Sequence, residues 1–149
     1  MLQRVNPIEL HESDRALWLD ITARQSRERD IDNLDWQNLI EEIEESGRSG
    51  KNAVESYLRQ LLKHLLLYQY WLVQRDYCGD GWIEEIDNFR NDLDILLRSK
   101  TLYNYASSVF EATYQKARNS AIKKTKLDLF PLQCPYTMEQ ALDLDYLPD

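Results

Sequence analysis

The sequence predicts an all-α fold: a single-domain bundle of about five main helices, closed by an extended proline-containing segment and a short terminal helix. Three observations carry this expectation. Apolar residues recur at helical spacing over most of the chain. Only 4 Gly and 4 Pro interrupt 149 residues, whereas strand-and-turn architectures use more of both breakers. No stretch sustains the apolar–polar alternation of a strand. A chain of this length buries roughly 68–70% of its unfolded surface, so a core forms without disulfides.

The first helix is expected from about Ser13 to Arg29, with Leu17, Trp18 and Ile21 at helical spacing and Ser13 or Asp14 as cap. Its apolar face is thin, because Gln25 and Glu28 occupy positions where further hydrophobic residues would sit. After the link RDIDNLD, Asp35 can cap a second helix in which Trp36, Leu39, Ile40 and Ile43 follow the i, i+3, i+4, i+7 pattern. That stripe is expected to face the core. Gly47 in SGRSG then ends this helix and Ser49 caps a third.

The third segment has the strongest periodicity. Val54, Tyr57, Leu58, Leu61, Leu62, Leu65, Leu66 and Leu72 form an arc too broad for a surface helix, so this is the expected central helix. DYCGDG, Asp76 to Gly81, reads as a turn with Asp80 as cap, followed by a fourth helix marked by Trp82, Ile83, Ile86, Phe89, Leu93, Leu96 and Leu97. A fifth helix carries Leu102, Ala106, Val109, Phe110, Tyr114, Ala117 and Ala121 and ends near Lys124. Two prolines make the following segment extended, until Thr137 and Gln140, at capping-box spacing, start a short helix.

Charge and composition narrow the function classes. A net charge of −8 repels phosphate backbones and anionic membranes, which leaves nucleic acid as a local-patch hypothesis. The longest apolar stretch, Leu61 to Val73, is too short for a bilayer and contains Lys63 and His64. No secretory signal opens the chain, and Cys78 and Cys134 are far apart and outside any CxxC pair. A cytoplasmic protein with two free thiols is expected.

The stretch LDWQNLIEEIEES places four glutamates among large apolar residues. At about 100° per residue, with the Trp36, Leu39, Ile40 and Ile43 stripe taken as inward, Glu41 and Glu45 point outward. Glu42 and Glu44 flank the stripe, where a carboxylate can reach a neighbouring helix. Glu44 also has Arg48 four residues later, in the favourable acid-then-base order. His64 lies at an edge of the central helix with Tyr57 and Trp71 at heptad spacing. Folding back at SGRSG would bring Glu42 or Glu44 to His64, and such a contact would raise the histidine's pKa.

Metal and hydrolytic chemistry find little support. A di-metal bundle needs paired Glu-x-x-His motifs, but Leu61 and Ile8 stand three residues before His64 and His11. HExxH, GxSxG and Gly-rich phosphate loops are absent from the chain. Neither a metal nor another cofactor is expected. The one basic stretch, KARNSAIKKTK, carries Lys116, Arg118, Lys123, Lys124 and Lys126 without an acid between them. It can stabilise a helix C-terminus, contact an acidic surface such as that of Glu41 and Glu45, within the molecule or across a dimer, or grip nucleic acid with Tyr103, Tyr105 or Tyr114 to stack.

Several motifs carry a family resemblance across nearly the whole chain: LDWQNLIEEIEESGRS, KHLLLYQYW, WIEEIDNFRNDLDILL, the Tyr114-to-Ala117 spacing and FPLQCPYTMEQALDLDYLP. Together they resemble the family called domain of unknown function 29, common in cyanobacteria and some proteobacteria. The resemblance implies a small all-helical fold and no established activity. Its pattern corresponds here to Asp35, Glu41, Glu42, Gly47, His64, Trp82, Arg90, Pro131, Cys134 and Pro135. Where the family has a Ser-Pro-Ser-Leu-like turn, this chain reads SKTL, Ser99 to Leu102.

Three functional readings follow. The first is a helical interaction or regulatory module that binds another protein or itself, with Glu41, Glu45, Lys116, Lys123, Lys124 and Lys126 as contact candidates. The second is an uncharacterised enzyme or ligand-binding bundle using a polar cluster of Glu41, Glu42, Glu44, His64 and Arg90. The third is nucleic-acid binding through residues 116–126.

Overall fold

The computed structural model describes residues 6–149 and bears out the all-α class. Six α-helices and one 3-10 turn make up the regular structure, with no strand among the described residues. The helices are α1 (Pro7–Ser13), α2 (Arg15–Arg27), α3 (Trp36–Tyr70), α4 (Leu72–Leu96), α5 (Lys100–Thr125) and α6 (Met138–Leu142). The chain divides into two compact units, Met1–Ser49 and Gly50–Asp149.

In the first unit, a helix absent from the sequence reading precedes the expected one. Asn6 caps α1 by accepting from the Ile8 amide at 3.1 Å, and Pro7 fills the first turn, where a missing N–H costs nothing. Asp14 ends α1 and caps α2 by accepting from the Leu17 amide at 3.1 Å. After α2, Arg29 adopts a left-handed conformation with φ 56°, and Ile31–Asn33 form the 3-10 turn.

Asp35 starts α3 as expected, accepting from the Asn38 amide at 3.4 Å and its side chain at 2.7 Å. The direction this helix buries is not the expected one. Trp36, Ile40 and Ile43 are 50%, 51% and 63% exposed. The edge that packs in this unit runs through Asp35, Asn38, Leu39 and Glu42, itself an i, i+3, i+4, i+7 set, shifted around the helix from the apolar stripe. Polar contacts with α1 and α2 orient this end of α3, and most of the apolar stripe faces solvent.

The expected break at SGRSG is also corrected, because α3 runs without interruption through Gly47 and Gly50. Each glycine costs about 1 kcal/mol relative to alanine inside a helix, but neither has a positive φ, and neither acts as a cap. The second and third expected helices are therefore one, and the fold-back that would carry Glu42 or Glu44 to His64 has no turn to make it.

In the second unit, α3 supplies the core. Leu58, Leu61, Leu62, Leu65, Leu66 and Leu67 are fully buried, each worth roughly 1.5–3 kcal/mol of hydrophobic stabilisation. They pack with Trp82, Ile86 and Leu93 of α4, Tyr114, Ala117 and Ala121 of α5, and Phe130, Tyr136 and Ala141 of the tail. The turn after α3 falls at Trp71, not at DYCGDG. Arg75 reaches back to donate to the Tyr68 carbonyl at 3.3 Å and lies over the Tyr68 ring, satisfying the end of α3, while Trp71 stacks on Trp82 with centroids 5.9 Å apart. DYCGDG is thus helical, and Gly79 within it leaves room for Arg75, whose Cγ would lie 3.2 Å from a Cβ there.

The tail forms the extended strap expected of its prolines. Three successive carbonyls of the strap accept from α5: Phe130 from Arg118 Nε at 3.0 Å, Pro131 from the Tyr114 hydroxyl, and Leu132 from Gln115 Nε2 at 2.7 Å. Thr137 and Gln140 then complete the capping box of α6.

Candidate functional site

Glu42 is the centre of the first unit's polar site. His11 of α1 donates from Nε2 to Glu42 Oε1 at 2.7 Å, and Arg15 of α2 donates to Oε2. The hydrogen bond from His11, reinforced by Arg15, holds the Glu42 carboxyl below the usual carboxylate range despite the opposing effect of desolvation. The His11 ring meets Trp18 edge-on at 4.8 Å, and Trp18, 1% exposed, donates its indole N–H to Asp35 Oδ2 at 3.1 Å. One network therefore ties α1 and α2 to the first two turns of α3.

Beside this network a groove of about 540 Å³ runs between α2 and α3. Arg15 and Glu42 lie along it with Trp18, Leu19, Leu39 and Ile43, so an apolar channel has one ion pair in its wall. Glu42 stands out in the sequence, but no local pattern links His11, Arg15 or Trp18 to it. The usable signal was the thin apolar face of the first expected helix, since a helix short of hydrophobic residues must dock through something else.

The other acidic candidates are solvated. Glu41, Glu44 and Glu45 are exposed. Arg48 pairs chiefly with Glu45, at 2.9 Å, and stands 4.0 Å from the expected partner Glu44. Such exposed pairs contribute about 0.2–1 kcal/mol.

His64 and Arg90, in the second unit, serve separate structural duties. His64 Nδ1 donates to the Gln60 carbonyl at 2.7 Å, and its ring packs on Phe89 at 5.4 Å. Its pKa is lowered, chiefly by burial, with Lys63 and Lys124 adding to the effect and the Gln60 carbonyl and Glu85 opposing it. This is opposite to the rise a glutamate contact would have caused. Arg90, 2% exposed, donates to the Ala141 carbonyl at 2.8 Å and the Gln140 carbonyl at 3.3 Å, closing the open C-terminus of α6. Burial disfavours its charge, and Asp87 and Asp143 oppose that.

The basic stretch also divides. Arg118 holds the strap through Phe130 and pairs with Asp128 at 2.9 Å. Lys123 and Lys124 occupy the last turn of α5, and Lys126 is its left-handed C-cap. Lys116 lines a small cavity between α3 and α5. Tyr114 is buried, with its hydroxyl pKa pushed up to about 12 by desolvation.

Burial pushes the Cys134 thiol up to about 11, while Cys78 is exposed and both cysteines are free. Among the described residues, no three His, Cys, Asp or Glu side chains gather closely enough to hold a metal ion. No described helix is long and apolar enough to cross a membrane.

Most family-pattern positions thus have structural roles. Asp35 and Glu42 tie the first unit together, Trp82 stacks against the turn after α3, and Arg90, Pro131 and Cys134 belong to the seating of the tail, where Cys134 donates its thiol to the Tyr136 carbonyl at 3.3 Å. No curated protein and no solved structure matches the chain. The family model described as Domain of unknown function DUF29 matches residues 10–147, nearly the whole length, and the chain belongs to that family.

Proposed function

We propose that the protein is a helical interaction module that pairs with a second copy of itself through the α2/α3 face of the first unit. The observation that carries this is the outward stripe of Trp36, Ile40 and Ile43, beside the groove that Leu19 and Ile43 line. Large apolar side chains grouped on one exposed face mark an interaction surface.

Charge favours a second copy as the occupant. Helix α2 carries three arginines against one aspartate, whereas the opening turns of α3 carry four glutamates and one arginine. In a two-fold pairing each surface meets its own counterpart, so a basic α2 and an acidic α3 on either side of an apolar seam are self-complementary. Glu41 and Glu45 then serve as rim charges. The two free thiols suit a reducing compartment, which supports a cytoplasmic setting.

The catalytic alternative gains no support from the geometry. Glu42, His64 and Arg90 each have their own structural partners.

Sedimentation velocity of the full chain over micromolar concentrations tests the pairing. A species of twice the chain mass is expected, dissociating in Ile40→Asp/Ile43→Asp and weakening at high salt. A monomer at about 100 µM, where even a weak dimer of micromolar Kd is populated, overturns the proposal, as does a dimer indifferent to both substitutions. Docking of a different protein on the same face appears as a monomer alone and likewise rejects self-pairing.

A further inference from the structure

The second unit contains a polar cavity independent of the face just described. It measures about 150 Å³ and lies between α3 and α5, lined by Asn52, Glu55, Ser56 and Arg59 from one helix and Thr113 and Lys116 from the other. Glu55 is occupied, accepting from the Tyr105 hydroxyl at 2.9 Å. Arg59 and Lys116 form no ion pair among the described residues. Thr113 is 3% exposed and lines the cavity on the α5 side beside Lys116.

The cations continue beyond the cavity. Asn52, Ser56, Arg59 and Lys63 stand at i, i+4, i+7 and i+11 on α3, and Thr113, Lys116, Ser120 and Lys124 stand at i, i+3, i+7 and i+11 on α5, so each set follows one helix face. Lys63 has a lowered pKa, first through burial and then through the like charges of Lys124 and Arg59. Mutual repulsion among cations, in a chain of net charge −8, has an electrostatic reason if an anion lies between them. From Lys116 to Lys124 the rise along α5 is about 12 Å, longer than one phosphate and suited to two linked ones.

We propose that this α3/α5 groove binds a ligand carrying two or more linked phosphates. One phosphate occupies the cavity between Arg59 and Lys116, hydrogen-bonded by the Ser56 and Thr113 hydroxyls and the Asn52 amide, and the next reaches toward Lys63 and Lys124. Arginine and lysine together suit this chemistry, the first as a planar fork and the second as a point charge. Glu55 limits the site on its other side and disfavours any anion bound without the full set of donors. Free pyrophosphate and the diphosphate of a nucleotide share the required chemistry.

Isothermal titration of the full chain at roughly 150 mM salt, where the Debye length is about 8 Å, tests the proposal with pyrophosphate, ADP, orthophosphate and sulfate. Saturable binding of pyrophosphate or ADP is expected, about tenfold or more tighter than orthophosphate or sulfate. Comparable affinities for ADP and pyrophosphate place recognition in the diphosphate alone, while tighter ADP binding assigns a nucleotide.

Arg59→Gln/Lys116→Gln is expected to weaken binding at least tenfold with an unchanged melting temperature, since both side chains are exposed. Thr113→Val should weaken it without removing charge, and Lys123→Gln should leave it unchanged. Absence of saturation at millimolar pyrophosphate and ADP overturns the proposal. So does binding that survives Arg59→Gln/Lys116→Gln, or retention of an oligonucleotide with no diphosphate binding.

Discussion

Trp18 and Asp35, seventeen residues apart, meet through an indole N–H to carboxylate hydrogen bond of 3.1 Å with both side chains buried. The carboxylate also accepts from Asn38, so one aspartate caps α3 and anchors α2. The aromatic body supplies burial and the ring N–H supplies direction.

Asp35→Ala is expected to destabilise the first unit by about 2–4 kcal/mol, combining roughly 1 kcal/mol for the cap with 1–3 kcal/mol for the stranded indole donor. Hydrogen exchange of the Trp18 indole proton, followed by NMR, checks this. Protection equal to that of the parent chain would show that the pair does not hold the unit.

The His11–Glu42–Arg15 network predicts a sensitivity to acid. Because the folded pKa of Glu42 lies below its ordinary value of 4.5, its stabilisation is present above that value and is lost as pH falls through the folded pKa. Urea midpoints measured from pH 7 to pH 3 should fall less steeply in Glu42→Gln, which has no carboxyl to protonate there. Parallel curves would remove Glu42 from the account.

His64 has a linkage of the same sign in a higher pH range. Burial lowers its folded pKa, so the unfolded chain binds the proton more tightly. Stability is unaffected above about 6.5, the unfolded value, and falls as pH drops from there toward the folded pKa. An imidazole titration by NMR should show a midpoint below 6.5, with Glu85 as the nearby acid moderating the shift and Lys63 and Lys124 deepening it. A midpoint above 6.5 would mean that an acid dominates its surroundings.

Arg90→Lys tests the seat of α6. Lysine keeps the charge but not the fork that spans the Gln140 and Ala141 carbonyls. A loss on the order of 3 kcal/mol is expected, from charged hydrogen bonds worth about 1.5–3 kcal/mol each, with faster proteolytic cleavage after Lys126. An unchanged cleavage rate would place the strap's anchorage on α5 alone.

What sequence makes visible here is local chemistry. The Thr137–Gln140 box, the Asp35 cap and the leucines from Leu58 to Leu66 are where their types and spacing put them, because capping and deep burial depend on near neighbours. Direction and continuity were less legible. Trp36, Ile40 and Ile43 form a good apolar stripe, but a stripe carries no record of what packs against it, and contacts from His11 and Trp18 turned a neighbouring edge inward. Gly47 and the glycines of DYCGDG signal breaks whose cost, about 1 kcal/mol each, is small beside the burial of the leucine core. Helix α1 is too short for periodicity to reveal, and its Asn-Pro start was the available clue. The partners of Glu42 lie 31 and 27 residues away, beyond any local pattern.

The strap bears on how the protein is made. Phe130, Tyr136 and Ala141 complete a core whose other walls come from α3, α4 and α5. During synthesis those helices leave the ribosome before the residues that cover them. At about 5–20 residues per second, the nascent chain spends on the order of a second or more with leucines and tyrosines of the second unit uncovered. Translation halted soon after Lys126 would release a polypeptide with its helices formed and its apolar wall open, a natural client for a chaperone that reads exposed hydrophobic surface.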